Sequence, residues 1–382
     1  MPLLKECYGP GAWGRSRDPV FIEDSEKGEV VMKVRLLAAA LAAMMMNLAT
    51  GAPSGASGPG TRIFTDSAGR EVEVPATIDS AAPSGPLAQI LLYSLAPGKL
   101  SGLAVDFPAE ARGYVDERHW NLPCFGQFYG KNANLNMEAL IAASPRVIVD
   151  VGEPKPTIRE DMDALQKQLG IPVVFIQSSL DSLPEAYVML GGLLGEAERA
   201  ELLAAAGRRI LDHAASVRSA IGSGGEVRVY SAMGKAGLNT NARDSFHAQA
   251  LDRAGALNVA DIPPDSRGAG STVSLEQVLL WNPQVILAET GEIRRRILED
   301  SAWSGIEAVR NGRVYRIPDV PYSFVSNPPS ANRLLGILWL GHLLYPEHYR
   351  SDLKEDVVEF FRLFYSINLS DAQYEEVMKD AL

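Results

Sequence analysis

Charged, aromatic and amide side chains collect on a few short Gly-, Pro- and Asn-rich segments of this 382-residue sequence, away from any catalytic signature. One segment reads Phe128-Tyr129-Gly130-Lys131-Asn132, and another Gly152-Glu153-Pro154-Lys155. A third runs from Gly237 to His247 as GLNTNARDSFH, and the stretch Tyr322–Asn327 reads YSFVSN. Arg267 and Ser84, the latter within Pro83-Ser84-Gly85, complete the set. Lys131, Lys155, Arg243 and Arg267 suit a carboxylate, phosphate or other oxyanion, whereas the rings of Tyr129, Tyr322 and Phe324 would cover a flat organic part. Asn239, Thr240 and Asn241 add neutral hydrogen-bonding groups, and the acids among these loops are chiefly Glu153 and Asp244. A partly apolar, anionic ligand is the expectation. The bland alternative for Asn239, Asn241 and Asp244 is a role in turns and caps.

Catalysis finds little support. No G-x-S-x-G elbow, H-E-x-x-H pair, P-loop or G-x-G-x-x-G after a strand occurs. Cys124 beside His119 stands in CFGQF, which offers no activating context. The histidines at 119, 213, 247, 342 and 348 include no closely spaced pair, so a bare metal held by several protein ligands is not expected. His213 and His342 fall in helical segments and read as structural, and His247 opens a helix near the candidate loops. No catalytic residue, resident metal or cofactor is therefore assigned, and the protein is read as a binder.

A net charge of −11 with no Lys/Arg stripe argues against nucleic acid. The two cysteines, Cys7 and Cys124, make neither a disulfide framework nor a metal cluster. Met32-Lys33-Val34-Arg35 precedes the apolar run LLAAALAAMMMNLA, too short to span a bilayer, and small residues follow to Gly51. This is the form of a secretory signal peptide. Residues 1–31 are then expected to be a non-native or untranslated leader, 32–51 the signal peptide and 52–60 a flexible lead-in. Cleavage near Gly51 would remove Cys7 and leave Cys124 alone, and no cysteine follows the apolar run to take a lipid anchor. The expected location is periplasmic.

The elements that must position these loops follow from a repeat. Residues 136–150 read NMEALIAASPRVIVD, and residues 274–288 read SLEQVLLWNPQVILA. Each copy has a small polar N-cap, an acid at the positive end of the helix dipole, an apolar turn, a proline that stops the helix and a β-branched strand. Strands alternate with helices on both sides of a helical stretch, Ser182–Ile221, that shows no strand signal. Two similar α/β lobes are expected, residues 61–180 and 224–382, with a spacer at 181–223 read as one long helix. The C-terminal helices are expected to pack back on the second lobe. Ligands of open α/β sheets bind beyond the carboxyl ends of the strands, which puts the loops named above in a cleft between the lobes.

In this arrangement the sequence resembles the class III substrate-binding proteins of ABC importers for siderophores, heme, cobalamin and related metal compounds. The resemblance covers roughly residues 61–365 and rests on DSAGREVEVP, SAAPSGPLAQILLYSLAPGKLSGLA, both repeat copies, GLNTNARDSFHAQALDRAGALNVA and GRVYRIP. It implies two Rossmann-like lobes with parallel sheets joined by one long helix, and a monomer that delivers its ligand to an ABC permease dimer with its ATPase. In that family one glutamate on each lobe docks onto permease arginines, and the positions matching that motif are Glu138 and Glu276. The alternative for each acid is merely to favour its helix N-terminus, worth about 0.3–1 kcal/mol. An iron–siderophore or similar anionic metal chelate is the favoured ligand. Cobalamin or another corrinoid, a molybdate or tungstate oxyanion, and a periplasmic sensor role remain alternatives.

Overall fold

The computed structural model describes residues 60–382 apart from 129–132 and 265–269. The expected leader, signal peptide and most of the lead-in, together with Tyr129, Lys131 and Arg267, lie outside the described residues.

An antiparallel hairpin of β1 (Thr61–Thr65) and β2 (Glu71–Pro75) opens the chain. The first lobe is a parallel sheet of β3 (Ala81–Pro83), β4 (Val147–Gly152) and β5 (Val173–Gln177), lying in that order. Its connections carry α1 (Pro86–Leu95), α2 (Met137–Ala143) and α3 (Ile158–Leu169). After α4 (Leu183–Leu194) and α5 (Ala197–Ile221) comes the second sheet, built from β6 (Arg228–Ala232), β8 (Leu257–Asn258), β10 (Val285–Ala288) and β11 (Val314–Arg316). Its order is β11-β10-β6-β8, all parallel, beside a small hairpin of β7 (Asn239–Thr240) and β9 (Ser271–Thr272). The helices of this lobe are α6 (Gln249–Arg253), α7 (Leu275–Trp281), α8 (Gly291–Glu299) and α9 (Glu307–Arg310), and the chain closes with α10 (Asn332–Leu344), α11 (Leu353–Phe364) and α12 (Asp371–Val377). The expected α/β fold with two parallel-sheet lobes is present.

The repeat copies fold alike, position for position. Asn136 and Ser274 cap α2 and α7, accepting from Ala139 N–H at 3.0 Å and Gln277 N–H at 3.2 Å. Each helix ends on a left-handed residue, Ser144 at φ 46° and Asn282 at φ 42°, before the proline that turns the chain into β4 or β10. Period-two burial then continues the match. Val147, Val149, Val285 and Leu287 point into a core cluster that also holds Leu190, Leu251 and Phe361. Ile148 faces a second cluster with Phe175 and Met162, and Ile286 a third with Tyr230 and Trp303. Alternate side chains of each sheet therefore pack into either the core common to the two lobes or that lobe's own outer layer, which explains strands apolar on both faces.

Two expectations change. The interlobe segment is two helices rather than one, because Gly195 ends α4 at φ 74°, a conformation that favours glycine, and α5 starts afresh after Glu196. The C-terminal helices do not rest on the second lobe alone. Tyr365 and Phe361 pack against Tyr93 and Tyr114, and Gln373 Nε2 donates to Gly113 O at 3.0 Å, so α11 and α12 return to the first lobe. Their long apolar side chains (Phe360, Phe361 and Phe364) find the α1 face there. Meanwhile α10 packs on α5 and α6, with Gly336 giving room for the Phe324 carbonyl, into which a Cβ would run.

The hairpin is tied down by a buried ion pair. Asp66 accepts from Ala68, Arg70 and Phe175 N–H groups and from Arg70 Nη1 at 2.8 Å, and Arg70 also donates to Val173 O and Asp163. Asp66→Ala, which leaves the Arg70 charge without its buried partner, is expected to cost about 3–5 kcal/mol in urea unfolding; a loss under 1 kcal/mol contradicts the role assigned to this pair. Because α5 and the returning C-terminal helices both cross between lobes, closure should be small. Small-angle scattering is expected to give a radius of gyration near about 20 Å with or without ligand; a large compaction on ligand addition contradicts it.

Candidate functional site

The first lobe presents its strand ends as expected, but their polar groups are largely engaged within the lobe. Ser84, just past β3, donates its N–H to Val149 O at 3.0 Å and its hydroxyl to the buried carboxylate of Asp150, and its carbonyl receives Phe128 N–H. Glu153, beyond β4, is exposed at the rim; desolvation raises its carboxyl above the ordinary range, and the field of Arg333 pulls the other way. Lys155 pairs with Asp161 at 2.7 Å, and the Lys155 and Thr157 hydrogen bonds lower the Asp161 carboxyl.

In the second lobe the 239–243 loop is stitched to its neighbours. Asn239 accepts from Thr272 Oγ1 at 3.0 Å, and the carbonyl of buried Asn241 receives Asn258 Nδ2 at 3.0 Å. Arg243 donates Nε to Asn258 O at 2.8 Å and Nη1 to Asp261 at 3.2 Å. It lines a groove of about 540 Å³ with Arg218, Asp244 and Asp252, where burial and then Asp244 push the Asp252 carboxyl up to about 6. Tyr322 and Phe324 are buried in the common core. Tyr322 Oη meets Gln89 Nε2 of α1 at 3.5 Å, and burial holds its hydroxyl well above the usual tyrosine range.

His247 lies in a different setting. Burial depresses its imidazole below the ordinary histidine value, a backbone hydrogen bond at Ser326 opposes that, and the Arg333 charge depresses it further. Arg333 itself is 2% exposed, and its guanidinium rides over the Phe246 ring at 4.8 Å. Nη1 donates to Phe246 O and to Gln249 Oε1, both at 2.9 Å. Burial lowers its pKa to about 10, partly offset by Glu153 and Asp181, so it remains charged at neutral pH. Gln249 Oε1 also receives Leu180 N–H at 3.0 Å, and Arg253 grips Asp181 with two nitrogens. The seam where residues 180–181 meet α6 thus runs beside Arg333.

Six buried side-chain polar atoms among the described residues lack a hydrogen-bond partner, and four of them are Thr240 Oγ1, Ser245 Oγ, His247 Nδ1 and Arg333 Nε. His247 and Arg333 interact at the seam, and Ser245 lies two residues before His247 in the chain. A buried donor left unmade costs roughly 1–3 kcal/mol, so this cluster has the character of a site that awaits an acceptor. A guanidinium N–H and a hydroxyl together can hold an oxyanion, and His247 Nδ1 can donate to one only as imidazolium, because its other nitrogen serves Ser326. Sequence reasoning named His247 but not Arg333, Ser245 or Asp181. The signal for Arg333 was its solitude: one cation within NRLLGILWLGHLL, an otherwise apolar helix that had to be buried.

Glu138 and Glu276 stand exposed on the first turns of α2 and α7, and no Lys or Arg pairs with either among the described residues. Hydrogen bonds from its own backbone and from Ser274 lower the Glu276 carboxyl, which keeps it ionised.

The fold agrees with what comparison finds. The periplasmic binding protein family matches residues 129–321, and the chain belongs to it, as one of the class III binding proteins of ABC transporters. A solute-binding protein of an ABC transporter from Sulfurospirillum deleyianum superposes with a TM-score of 0.77 at 27% identity, covering 83% of this chain and 99% of that one. The molybdate-bound structure of MolA from Haemophilus influenzae superposes at 0.63 with 22% identity, covering 81% and 99%, a likeness of fold. In sequence, the molybdate-binding protein MolA of Haemophilus influenzae is 33% identical over 141 residues, 36% of this chain and 39% of that relative's length. Members of the family are periplasmic transport proteins that bind small ligands and work with a permease and its ATPase. No helix among the described residues is long and apolar enough to cross a membrane.

Replacing Arg333 by Gln removes a positive charge near His247 and is expected to raise the His247 pKa toward its ordinary value, because imidazolium is then less disfavoured. An unchanged or lowered titration, followed by NMR of the ring, contradicts the electrostatic link.

Proposed function

We propose that the chain is the exported substrate-binding component of an ABC importer and that its ligand is an anionic metal species held at the interlobe seam by Arg333. One observation carries the reading: a 2%-exposed guanidinium whose Nε–H has no protein acceptor, beside the equally unpartnered His247 Nδ1 and Ser245 Oγ. An anion would accept from that Nε–H and add to the negative potential that Glu153 and Asp181 already supply.

Within the anions, a compact oxyanion such as molybdate or tungstate suits the described residues better than the iron–siderophore or other chelate expected from the loop composition. Lys155 and Arg243 are engaged by Asp161 and Asp261. A flat chelate would need the rings of Tyr322 and Phe324, and both are buried in the core. The curated relative that shares 33% identity over part of the chain carries molybdate in its name, which supports the same class. Delivery would follow by docking of Glu138 and Glu276 on the permease. The exported form proposed is a monomer cut near Gly51.

Titration calorimetry against molybdate, tungstate, a ferric siderophore and cobalamin tests the ligand. Molybdate or tungstate affinity is expected to fall with added salt, and Arg333→Gln to weaken it by roughly 1.5–3 kcal/mol, the worth of a hydrogen bond to a charged group. Arg243→Ala, whose partners lie within its own lobe, should weaken it less. Tight, salt-indifferent binding of cobalamin contradicts the anion reading. Glu138→Lys and Glu276→Lys are expected to impair uptake at unchanged ligand affinity; loss of affinity in either purified variant would remove that residue from the docking face.

A further inference from the structure

We infer that the permease is held by an apolar anchor beside each docking acid as well as by charge: Ile141 on α2, and Leu279 with Leu280 on α7. This rests on the importer reading above and extends the same two contact points.

The repeat carries the argument. At a constant offset of 138, Glu138 matches Glu276, Leu140 matches Val278, and Ile141 matches Leu279. Leu140 and Val278 are wholly buried and anchor each helix to its lobe. The next position in each copy is instead a large apolar side chain left in water, Ile141 at 49% exposure and Leu279 at 39%. Each lies three residues after its glutamate and so shares the acid's helix face. Leu280, at 78%, is the most exposed of the eight exposed large hydrophobics among the described residues. Three of those eight therefore fall on two seven-residue helices that together make up a small part of the chain. Single exposed apolar residues need no explanation, but a matched pair at equivalent sites on two lobes does.

Charge complementarity names the occupant. An acid with no cation of its own, next to a bare aliphatic side chain, fits a surface that presents an arginine or lysine within an apolar collar, and burial of the collar would strengthen the ion pair by excluding water. Two such patches on separate lobes fit a two-subunit partner that offers the socket twice. Ala142 stands where the second copy has Leu280, so the second lobe carries the larger anchor.

The test is binding of the full exported protein to the permease–ATPase complex of the same importer in nanodiscs, read by biolayer interferometry. Calorimetry with molybdate and thermal melting accompany it as controls. Ile141→Asn and the pair Leu279→Asn/Leu280→Asn are expected to weaken docking, the latter about tenfold or more, the scale of burying one or two aliphatic side chains. Melting temperature and molybdate affinity should not move. Ile141→Ala and Leu280→Ala give the same direction with less change to the surface. If the apolar variants dock like the unmodified protein while Glu138→Lys and Glu276→Lys abolish docking, the anchor inference fails and the docking acids stand. If the glutamate reversals also leave docking unchanged, both readings of this face fail. A dimer in analytical ultracentrifugation that Leu280→Asn dissolves would place a second copy of the chain on the patch and overturn the proposal.

Discussion

A charge carried to the seam between two lobes organises this molecule. Taking a guanidinium from water to the 2% exposure of Arg333 is unfavourable by several kcal/mol unless the surroundings answer it. The answers come from both lobes. Phe246 and Gln249 supply oxygens from the second lobe, the Phe246 ring supplies its face, and Glu153 and Asp181 supply negative potential from the first lobe and its junction with α4. Asp181 is itself fastened to Arg253 and Gln249 to Leu180, so the groups that stabilise Arg333 also hold the lobes in register. What remains unanswered is the Nε–H, in electrostatic reach of His247. A binding protein whose ligand completes an electrostatic arrangement already built across its seam needs little motion to close on it.

The fold supplies rigidity for that purpose. The two sheets share one core, into which alternate residues of β4 and β10 project, and the chain crosses between lobes along α5 and again through the C-terminal helices. Buried joints such as Gln89 to Tyr322 and Tyr365 to Asn332 lie along the second crossing. Rigid lobes also fix the spacing of the exposed faces of α2 and α7.

Much of this was legible in the residues. The repeat at 136 and 274 disclosed the two lobes, because an N-cap, an apolar turn and a proline are local devices whose geometry does not depend on distant packing. The left-handed ends at Ser144 and Asn282 were not legible, because a following proline favours extended backbone in the residue before it. The break after Gly195 was missed because helical periodicity is strong on both sides of it. The return of α11 to the first lobe was missed because an amphipathic helix declares that it has an apolar face and not which surface covers it. Within the site, loop composition led to His247 but also to Lys155, Arg243, Tyr322 and Phe324, whose environments depend on partners far along the chain. Arg333 escaped because its setting is made by burial, which a solitary arginine in an apolar helix only hints at.

The most direct test of the central claim is an anomalous-scattering map of crystals of the protein grown with tungstate. With the anion seated at the seam, the tungsten peak is expected about 4 Å from Arg333 Nε, the separation of a charge-assisted hydrogen bond to a tungstate oxygen, and close to His247 Nδ1 and Ser245 Oγ. A fully occupied peak in the groove lined by Arg218 and Arg243, with Arg333 Nε left without an acceptor, would contradict the account.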